Sequence, residues 1–153
     1  MSMLLLAQRL AEPDVASLPD WQAAEALNLP DPSLPQVWMP VTCVRIRAYL
    51  LSSGNVWAKL KFARSDSALT EETRKIAETV YDALDLLTHI DLSNASYRSL
   101  VENNLASLVD AGVMSQSDVD GLLALGRRHP TWAEANNVLV DARSVGLARG
   151  ARE

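Results

Sequence analysis

The sequence predicts a mainly α-helical protein, built as a small helical bundle. Apolar residues recur every three or four positions through residues 69–126, which is the period of an amphipathic helix. Capping residues such as Thr70 precede these stretches, and glycines such as Gly112 follow them. The composition, with 48% hydrophobic and 22% charged residues among 153, is that of an ordinary globular protein.

Three helices are expected in this region. Thr70 caps the first helix, and the second begins near Ser93 and ends at Gly112. Ser115 and Asp118 have the spacing of a capping box, which begins the third. We expect one core that contains Ile76, Val80, Leu84, Leu100, Leu105, Leu108 and Leu122.

The whole chain is expected to form one domain with four parts. Residues 1–27 form an N-terminal helical segment, and residues 42–135 form the helical core. Residues 28–41 contain four prolines, which lack the amide donor and restrict the preceding residue, so this segment is expected to be an extended linker. Residues 136–153 have no strong period and are expected to form an extended C-terminal arm.

Residues 43–63 allow two interpretations. With a period of two, the segment is predicted to form a β-hairpin, in which Val44, Ile46, Ala48 and Leu50 share a face. With a period of 3.6 the same segment forms two helices, where Gly54 ends the first and Asn55 caps the second. The residue pattern leaves both open, so an α+β fold with a hairpin at 43–63 is the alternative fold class.

Charge and targeting signals narrow the function classes. The net charge of −5 argues against binding to nucleic acid or to an anionic membrane. The apolar run from Met3 to Ala7 is too short for a signal peptide or a membrane span, so we expect a soluble protein made in the cytoplasm. Cys43 is the only cysteine and has no partner for an intrachain disulfide.

Residues 108–126 have the outline of a helix-turn-helix, which raises the question of DNA binding. A DNA-reading helix presents basic or amide side chains to bases and phosphates. Residues 115–126 contain Asp118 and Asp120 and no basic residue. We therefore interpret this segment as a helical corner that closes the bundle.

A better candidate for nucleic-acid binding is the segment 43–64. It has no acidic residue, and Tyr49, Trp57 and Phe62 are interleaved with its cations, as a groove for single strands requires. The competing interpretation is a solvated basic face whose aromatic rings enter the core. The basic residues of the segment are Arg45, Arg47, Lys59, Lys61 and Arg64.

No motif in the sequence indicates catalysis. His89 and His129 have no metal-ligand spacing with each other or with Cys43. A nucleophile elbow and a phosphate-binding glycine loop are absent as well. We expect a protein that is not an enzyme, with no catalytic residues, no cofactor and no metal.

Candidate partner-binding residues lie in three places. Trp38 is expected to hold the proline-rich linker against the core, and the basic residues of 43–64 are expected to meet acidic partner surfaces. The C-terminal arm combines apolar and basic side chains without a helical stripe, so it is expected to dock on a neighbour. These arm residues are Val138, Leu139, Val140, Val145, Leu147, Arg143, Arg149 and Arg152.

Four stretches together resemble a group of known proteins. They are LPDWQAAEALNLPDPSLP (18–35), RAYLLSSGNVWAKLK (47–61), SLVDAGVMSQSDVDGLLALG (107–126) and HPTWAEANNVLVDARSVGLARG (129–150). In this order they resemble small alanine- and leucine-rich helical proteins encoded in the structural gene clusters of tailed bacteriophages, often near tail genes.

The resemblance implies helices around Gly54 and a place in a virion assembled in the host cytoplasm. The expected function is therefore a structural component of the tail or its attachment region, with other virion proteins or further copies in a symmetric assembly as partners. A capsid-associated minor protein and a nucleic-acid-binding accessory protein that uses 43–64 are the alternatives.

Overall fold

Ten helices and four short strands make up residues 2–150, the part of the chain that the computed structural model describes. The protein is mainly helical, as its sequence predicts. In chain order the elements are α1 (Ser2–Arg9), α2 (Pro13–Ala16), α3 (Asp20–Leu27), β1 (Val37–Trp38), β2 (Pro40–Thr42), α4 (Cys43–Ser52), α5 (Val56–Ala63), α6 (Glu71–Leu86), β3 (His89–Asp91), α7 (Ala95–Asp110), α8 (Gln116–Ala124), β4 (Arg127–Arg128), α9 (Trp132–Ala135) and α10 (Ala142–Gly150).

The contacts divide the chain into two units, where the sequence predicts one domain. Unit 1 combines residues 2–36 with residues 129–150, and unit 2 is the continuous segment 37–128. Unit 1 is therefore discontinuous in the sequence. Its two parts are joined, for example, by the side-chain amide of Asn28, which donates to the carbonyl of Val140 at 2.8 Å.

Helices α4 to α8 surround the core of unit 2. Helix α6 packs against α4, α5 and α7, and α8 packs against α4 and α7. The predicted core is confirmed for the residues that are buried or packed against it, namely Ile76, Val80, Leu84, Leu105, Leu108 and Leu122. The prediction is wrong for Leu100, which is 55% exposed, because the apolar stripe of α7 is wider than the surface that its neighbours cover.

Residues 43–63 form two helices and not a β-hairpin. The hydroxyl of Thr42 accepts from the N–H of Arg45 at the start of α4. Gly54 (φ 65°) and Asn55 (φ 54°) take left-handed conformations in the turn, which glycine and asparagine adopt at lower cost than other residues. The side chain of Asn55 then caps α5 by accepting from the N–H of Ala58.

Residues 28–41 are less simple than the predicted linker, because they contain β1 and the start of β2. Strand β1 pairs with β4, and β2 pairs with β3 in antiparallel register, with Val41 opposite Ile90. Both of these residues are buried. Strands of two or three residues are too short to leave an alternating pattern, which is why the sequence did not reveal them.

The prediction of an extended C-terminal arm is wrong for residues 142–150, which form α10. This helix packs against α1 and α3 of unit 1. Val140, Val145 and Ala148 are buried in the core of the unit. The last residues of the predicted arm, 151–153, lie outside the described residues.

The start of α10 has a physical cause that is visible in the sequence. The carboxylate of Asp141 accepts from the N–H of Ser144 at 2.7 Å, and the Ser144 hydroxyl accepts in return from the N–H of Asp141. The apolar positions of 138–150 are split between a non-helical stretch and this helix. Neither the helical period of 3.6 nor the strand period of two therefore covers the whole segment.

Candidate functional site

An apolar groove between α6 and α7 is the candidate functional site of unit 2. We call it the α6–α7 groove, and it encloses a cavity of about 130 Å³ that is open to solvent. Its lining is almost entirely apolar. The lining residues are Ile46, Thr79, Val80, Ala83, Leu84, Ile90, Leu92, Tyr97, Leu100, Val101, Asn104, Leu105 and Leu122.

The two helices provide the walls of the groove through their spacing. On α6, Thr79 and Val80 each lie about one helical turn before Ala83. On α7, Leu100 and Asn104 have the same relation. The floor is made by buried side chains of the core, which include Leu84, Leu105 and Leu122.

The rim of the groove is polar. Thr79 and Asn104 supply a hydroxyl and an amide among the lining residues. The seam between the two helices continues into a shallower hollow, where Glu72 and Asp110 are among the lining residues.

This geometry suits the binding of an apolar group. A dry cavity of about 150 Å³ lined by aliphatic side chains accepts a molecule as large as benzene. The α6–α7 groove therefore has room for one leucine-sized or ring-sized side chain. Its lining residues include no carboxylate, imidazole or thiol that could transfer a proton.

The basic residues predicted for partner binding are divided by the structure. The Arg47 guanidinium donates to the carbonyl of Leu84 at 2.6 Å, so it covers the C-terminal end of α6. Arg45 on α4 remains exposed, as do Lys59 and Lys61 on α5.

The aromatic residues of the same segment contact the protein itself. The rings of Trp57 and Tyr81 stack with centroids 4.5 Å apart, and the guanidinium of Arg64 lies 3.9 Å above Tyr81. The hydroxyl of Tyr49 donates to the carbonyl of Asp118 at 3.2 Å. Phe62, 65% exposed, is the one ring of the predicted stacking set that is left free by these contacts.

Trp38 packs against the core of unit 2 between two cations. The guanidinium carbons of Arg98 and Arg127 lie 4.7 and 4.2 Å from its ring centroid. Cation–π contacts of this kind stabilise by about 0.5–1 kcal/mol each at exposed sites. The predicted role of Trp38, which was to hold the segment 28–41 against the core, agrees with this position.

The C-terminal residues predicted to bind a partner are mostly committed to unit 1. Val140 and Val145 are buried, and Val138 packs against the same core, so these three do not form a free surface. The guanidinium of Arg149 donates to Asp20 at 2.6 Å. Leu139, Leu147 and Arg143 remain exposed, and their binding to a partner stays a prediction.

Cys43 is buried in the core of unit 2. Burial raises the pKa of its thiol, which disfavours the reactive thiolate at neutral pH. Its position under α6, with Sγ 3.8 Å from the carbonyl of Ala83, is that of a small packing residue.

Neither a metal centre nor a membrane span is found in the described part of the chain. Among residues 2–150 no three histidine, cysteine or carboxylate side chains come together in a way that could hold a metal ion. No helix of the same residues combines the length and the apolar character that crossing a bilayer requires.

No protein-family model, curated protein or solved structure matches the chain.

Proposed function

We propose that the chain is a structural component of a bacteriophage particle, in the tail or its attachment region, and that it works through protein–protein contacts at the α6–α7 groove. Four stretches between residues 18 and 150 resemble proteins of phage structural gene clusters, and this resemblance supports a place in the particle. The groove supports protein–protein contacts as the mode of action. A capsid-associated position is the alternative within the same function.

The observation that carries the proposal is the exposure of apolar surface at a formed cavity. Leu100 is 55% exposed at its edge, beside the partly buried Val80 and Val101. An apolar centre with a polar rim is the anatomy of a protein interface. The exposed leucine has an energetic reason to be covered, because burying apolar surface stabilises by about 25 cal/mol per Å².

The second candidate function is nucleic-acid binding by the segment 43–64. The exposed Arg45, Lys59 and Lys61 favour it, whereas the contacts of Tyr49 and Trp57 remove two of the rings that would stack on bases. A mobility shift on single-stranded DNA at low salt tests it, since phosphate contacts are strongest there. Binding that is lost when Arg45, Lys59 and Lys61 are changed to alanine supports this candidate, and no binding at low salt eliminates it.

Mass spectrometry of purified particles, combined with one matched pair of variants, tests the first proposal. Leu100→Lys places a charge at the groove, and Leu51→Lys places the same charge on α4 at a position of equal exposure, 54%. Both changes are at the protein surface, so the free energy of unfolding should change by less than about 0.5 kcal/mol. We expect Leu100→Lys to lower the amount of the chain in particles by at least about tenfold, and Leu51→Lys to leave it unchanged.

Fractions of particles that contain tails alone or capsids alone then distinguish the two positions in the virion. A chain that never copurifies with particles would refute the proposed function. Equal incorporation of the Leu100 and Leu51 variants would refute the role of the groove in it.

A further inference from the structure

Leu139 is an exposed leucine on a fixed backbone. Its side chain is 85% exposed, the highest fraction among the large apolar residues of the described chain. The residues on both sides are anchored, because the N–H of Val138 donates to the carbonyl of Ala133 and the carbonyl of Val140 accepts from Asn28. Leu139 therefore points away from unit 1 while its neighbours pack into it.

The outer face of α10 extends this apolar surface. Leu147 is exposed, and Arg143 lies one turn before it on the same face. Val145 and Ala148 occupy the opposite, buried face of the helix. Unit 1 therefore presents two leucines and the cation Arg143 on a backbone that is already ordered, which lowers the entropic cost of binding. The exposed carboxylate of Asp141 lies in the same segment and accepts from the N–H of Ser144.

The α6–α7 groove of unit 2 has the complementary properties. Its cavity of about 130 Å³ matches one leucine-sized side chain in volume. The carboxylates of Glu72 and Asp110 line the hollow that continues the groove, whereas the cation Lys75 is paired with Glu71 at 3.3 Å. The groove is therefore apolar at its centre and continues into a hollow with two carboxylates, and it complements a leucine near an arginine.

We infer that the occupant of the α6–α7 groove is a second copy of this chain, with Leu139 of one copy in the cavity of the next and Arg143 facing the carboxylates of the seam. The inference rests on the proposed function, because it names the partner that the groove binds. Each contact joins two different surfaces of the chain, Leu139 of one copy and the groove of the other. Repeated from copy to copy, such a contact produces a closed ring, whose smallest form is a reciprocal dimer, or an open filament.

Sedimentation equilibrium of the purified chain as a function of concentration is the first test. The average mass of the native protein should rise with concentration above that of the monomer. Leu139→Asp should weaken the association by at least about tenfold, because a charge replaces the side chain that fills the cavity. Leu4→Asp is the matched control on unit 1, at a leucine that is 66% exposed in the first turn of α1, and it should associate like the native protein.

Mixing two defective variants is the decisive test. Leu139→Asp keeps an intact groove, and Leu100→Lys keeps an intact Leu139. At a concentration where each variant alone is monomeric, their equimolar mixture should form a heterodimer of twice the monomer mass that grows no further. Circular dichroism of each variant shows that a loss of association is not a loss of folding.

The inference is overturned if the native chain stays monomeric up to about 1 mM, which corresponds to a binding free energy weaker than about −4 kcal/mol. It is also overturned if Leu139→Asp associates like the native protein, or if the mixture stays monomeric. The proposed function would survive each of these results if Leu100→Lys still lowered incorporation into particles, since another virion protein would then occupy the groove.

Discussion

At the scale of single residues, Gly121 allows the ring of Tyr49 to lie directly on the backbone of α8. A Cβ atom at position 121 would be 1.9 Å from the Tyr49 hydroxyl oxygen and 2.6 Å from the ring carbon that carries it. The Tyr49 hydroxyl donates from there to the carbonyl of Asp118. A larger residue at position 121 would therefore displace the end of the Tyr49 side chain.

Gly121→Ala should destabilise unit 2, even though alanine favours a helix over glycine by about 1 kcal/mol. The ring of Tyr49 must move and lose its hydrogen bond and its packing. We expect a lower midpoint of urea unfolding, and Gly121→Ala should lose this effect in a Tyr49→Ala background. Gly150→Ala, where a Cβ atom meets nothing within 4 Å, is the control. A higher midpoint for Gly121→Ala would contradict this account.

Leu105 and Leu100 on α7 give a second prediction at this scale. Leu105 is 2% exposed, so Leu105→Ala should lower the free energy of unfolding by about 2–5 kcal/mol through lost burial and an enlarged cavity. Leu100→Ala on the same helix should change it by less than about 0.5 kcal/mol. Urea unfolding of both variants measures the difference, and equal effects would show that the burial of α7 is described wrongly.

The sequence predicts residues at this scale where local chemistry decides. The caps at Thr70 and Ser115 were predicted, because the hydrogen bonds that they make are to residues three positions away. Leu100 was misassigned to the core, because its spacing is that of a buried residue. Whether a neighbour covers that position depends on the packing of α6 and α8, and the spacing of apolar residues within α7 carries no information about that packing.

At the scale of elements, α8 begins with a complete capping box. The Ser115 hydroxyl accepts from the N–H of Asp118 at 3.1 Å, and the Asp118 carboxylate accepts from the N–H of Ser115 at 2.9 Å. The hydroxyl of Ser53 donates to the same carboxylate at 2.7 Å. These hydrogen bonds, the backbone one first, lower the pKa of Asp118, since they favour its ionised form.

A lowered pKa in the folded state gives a stability that is present above the unfolded pKa, about 3.9, and is lost as the pH falls through the folded value. Asp118→Asn should therefore be less stable than the native protein at pH 7, by about 1 kcal/mol or less for an exposed cap, with the difference shrinking in acid. Thermal unfolding between neutral and acidic pH measures it. Asp110→Asn, at an exposed carboxylate at the end of α7, is the control, and a difference that persists in acid would contradict the assignment.

Helix α10 is an integral part of unit 1. Deletion of residues 138–153 should unfold this unit, because it removes Val140, Val145 and Ala148 from the core against which α3 packs. Hydrogen exchange should find the amides of α3 unprotected in the truncated protein, whereas those of α7 in unit 2 serve as the internal reference. Protected α3 amides in the truncated protein would contradict this expectation and would favour the free arm that the sequence predicts for residues 136–153.

Elements were predictable where one period covers the whole segment, as in α6 and α7. They were not predictable where the structure changes within a few residues, as between the non-helical 138–140 and the helical 142–150. The capping pair of Asp141 and Ser144 is the signal that would have found α10. Strands β1 to β4 leave no comparable signal, because each depends on a partner distant in the sequence.

At the scale of the whole molecule, the division into two units depends on contacts that no local pattern contains. The ion pair between Arg149 and Asp20, at 2.6 Å, and the bond from Asn28 to Val140 join residues more than one hundred positions apart. Neither pair belongs to a local sequence motif from which the contact could be predicted. The groove was equally hidden, because residues such as Leu100 at its edge have the spacing of a core and differ from it only in being uncovered.

The central claim is that the α6–α7 groove is covered by a protein partner in the assembled particle. Site-specific photocrosslinking measures this most directly, with a photoreactive amino acid in place of Thr79 at the groove or of Ala58 on the exposed face of α5. We predict that illuminated particles yield a covalent adduct from position 79 and not from position 58, and that its mass is that of two copies of this chain. An adduct with another virion protein would support the groove as a binding site but would contradict a second copy of this chain as its occupant. No adduct from position 79, or equal adducts from both positions, would contradict the account.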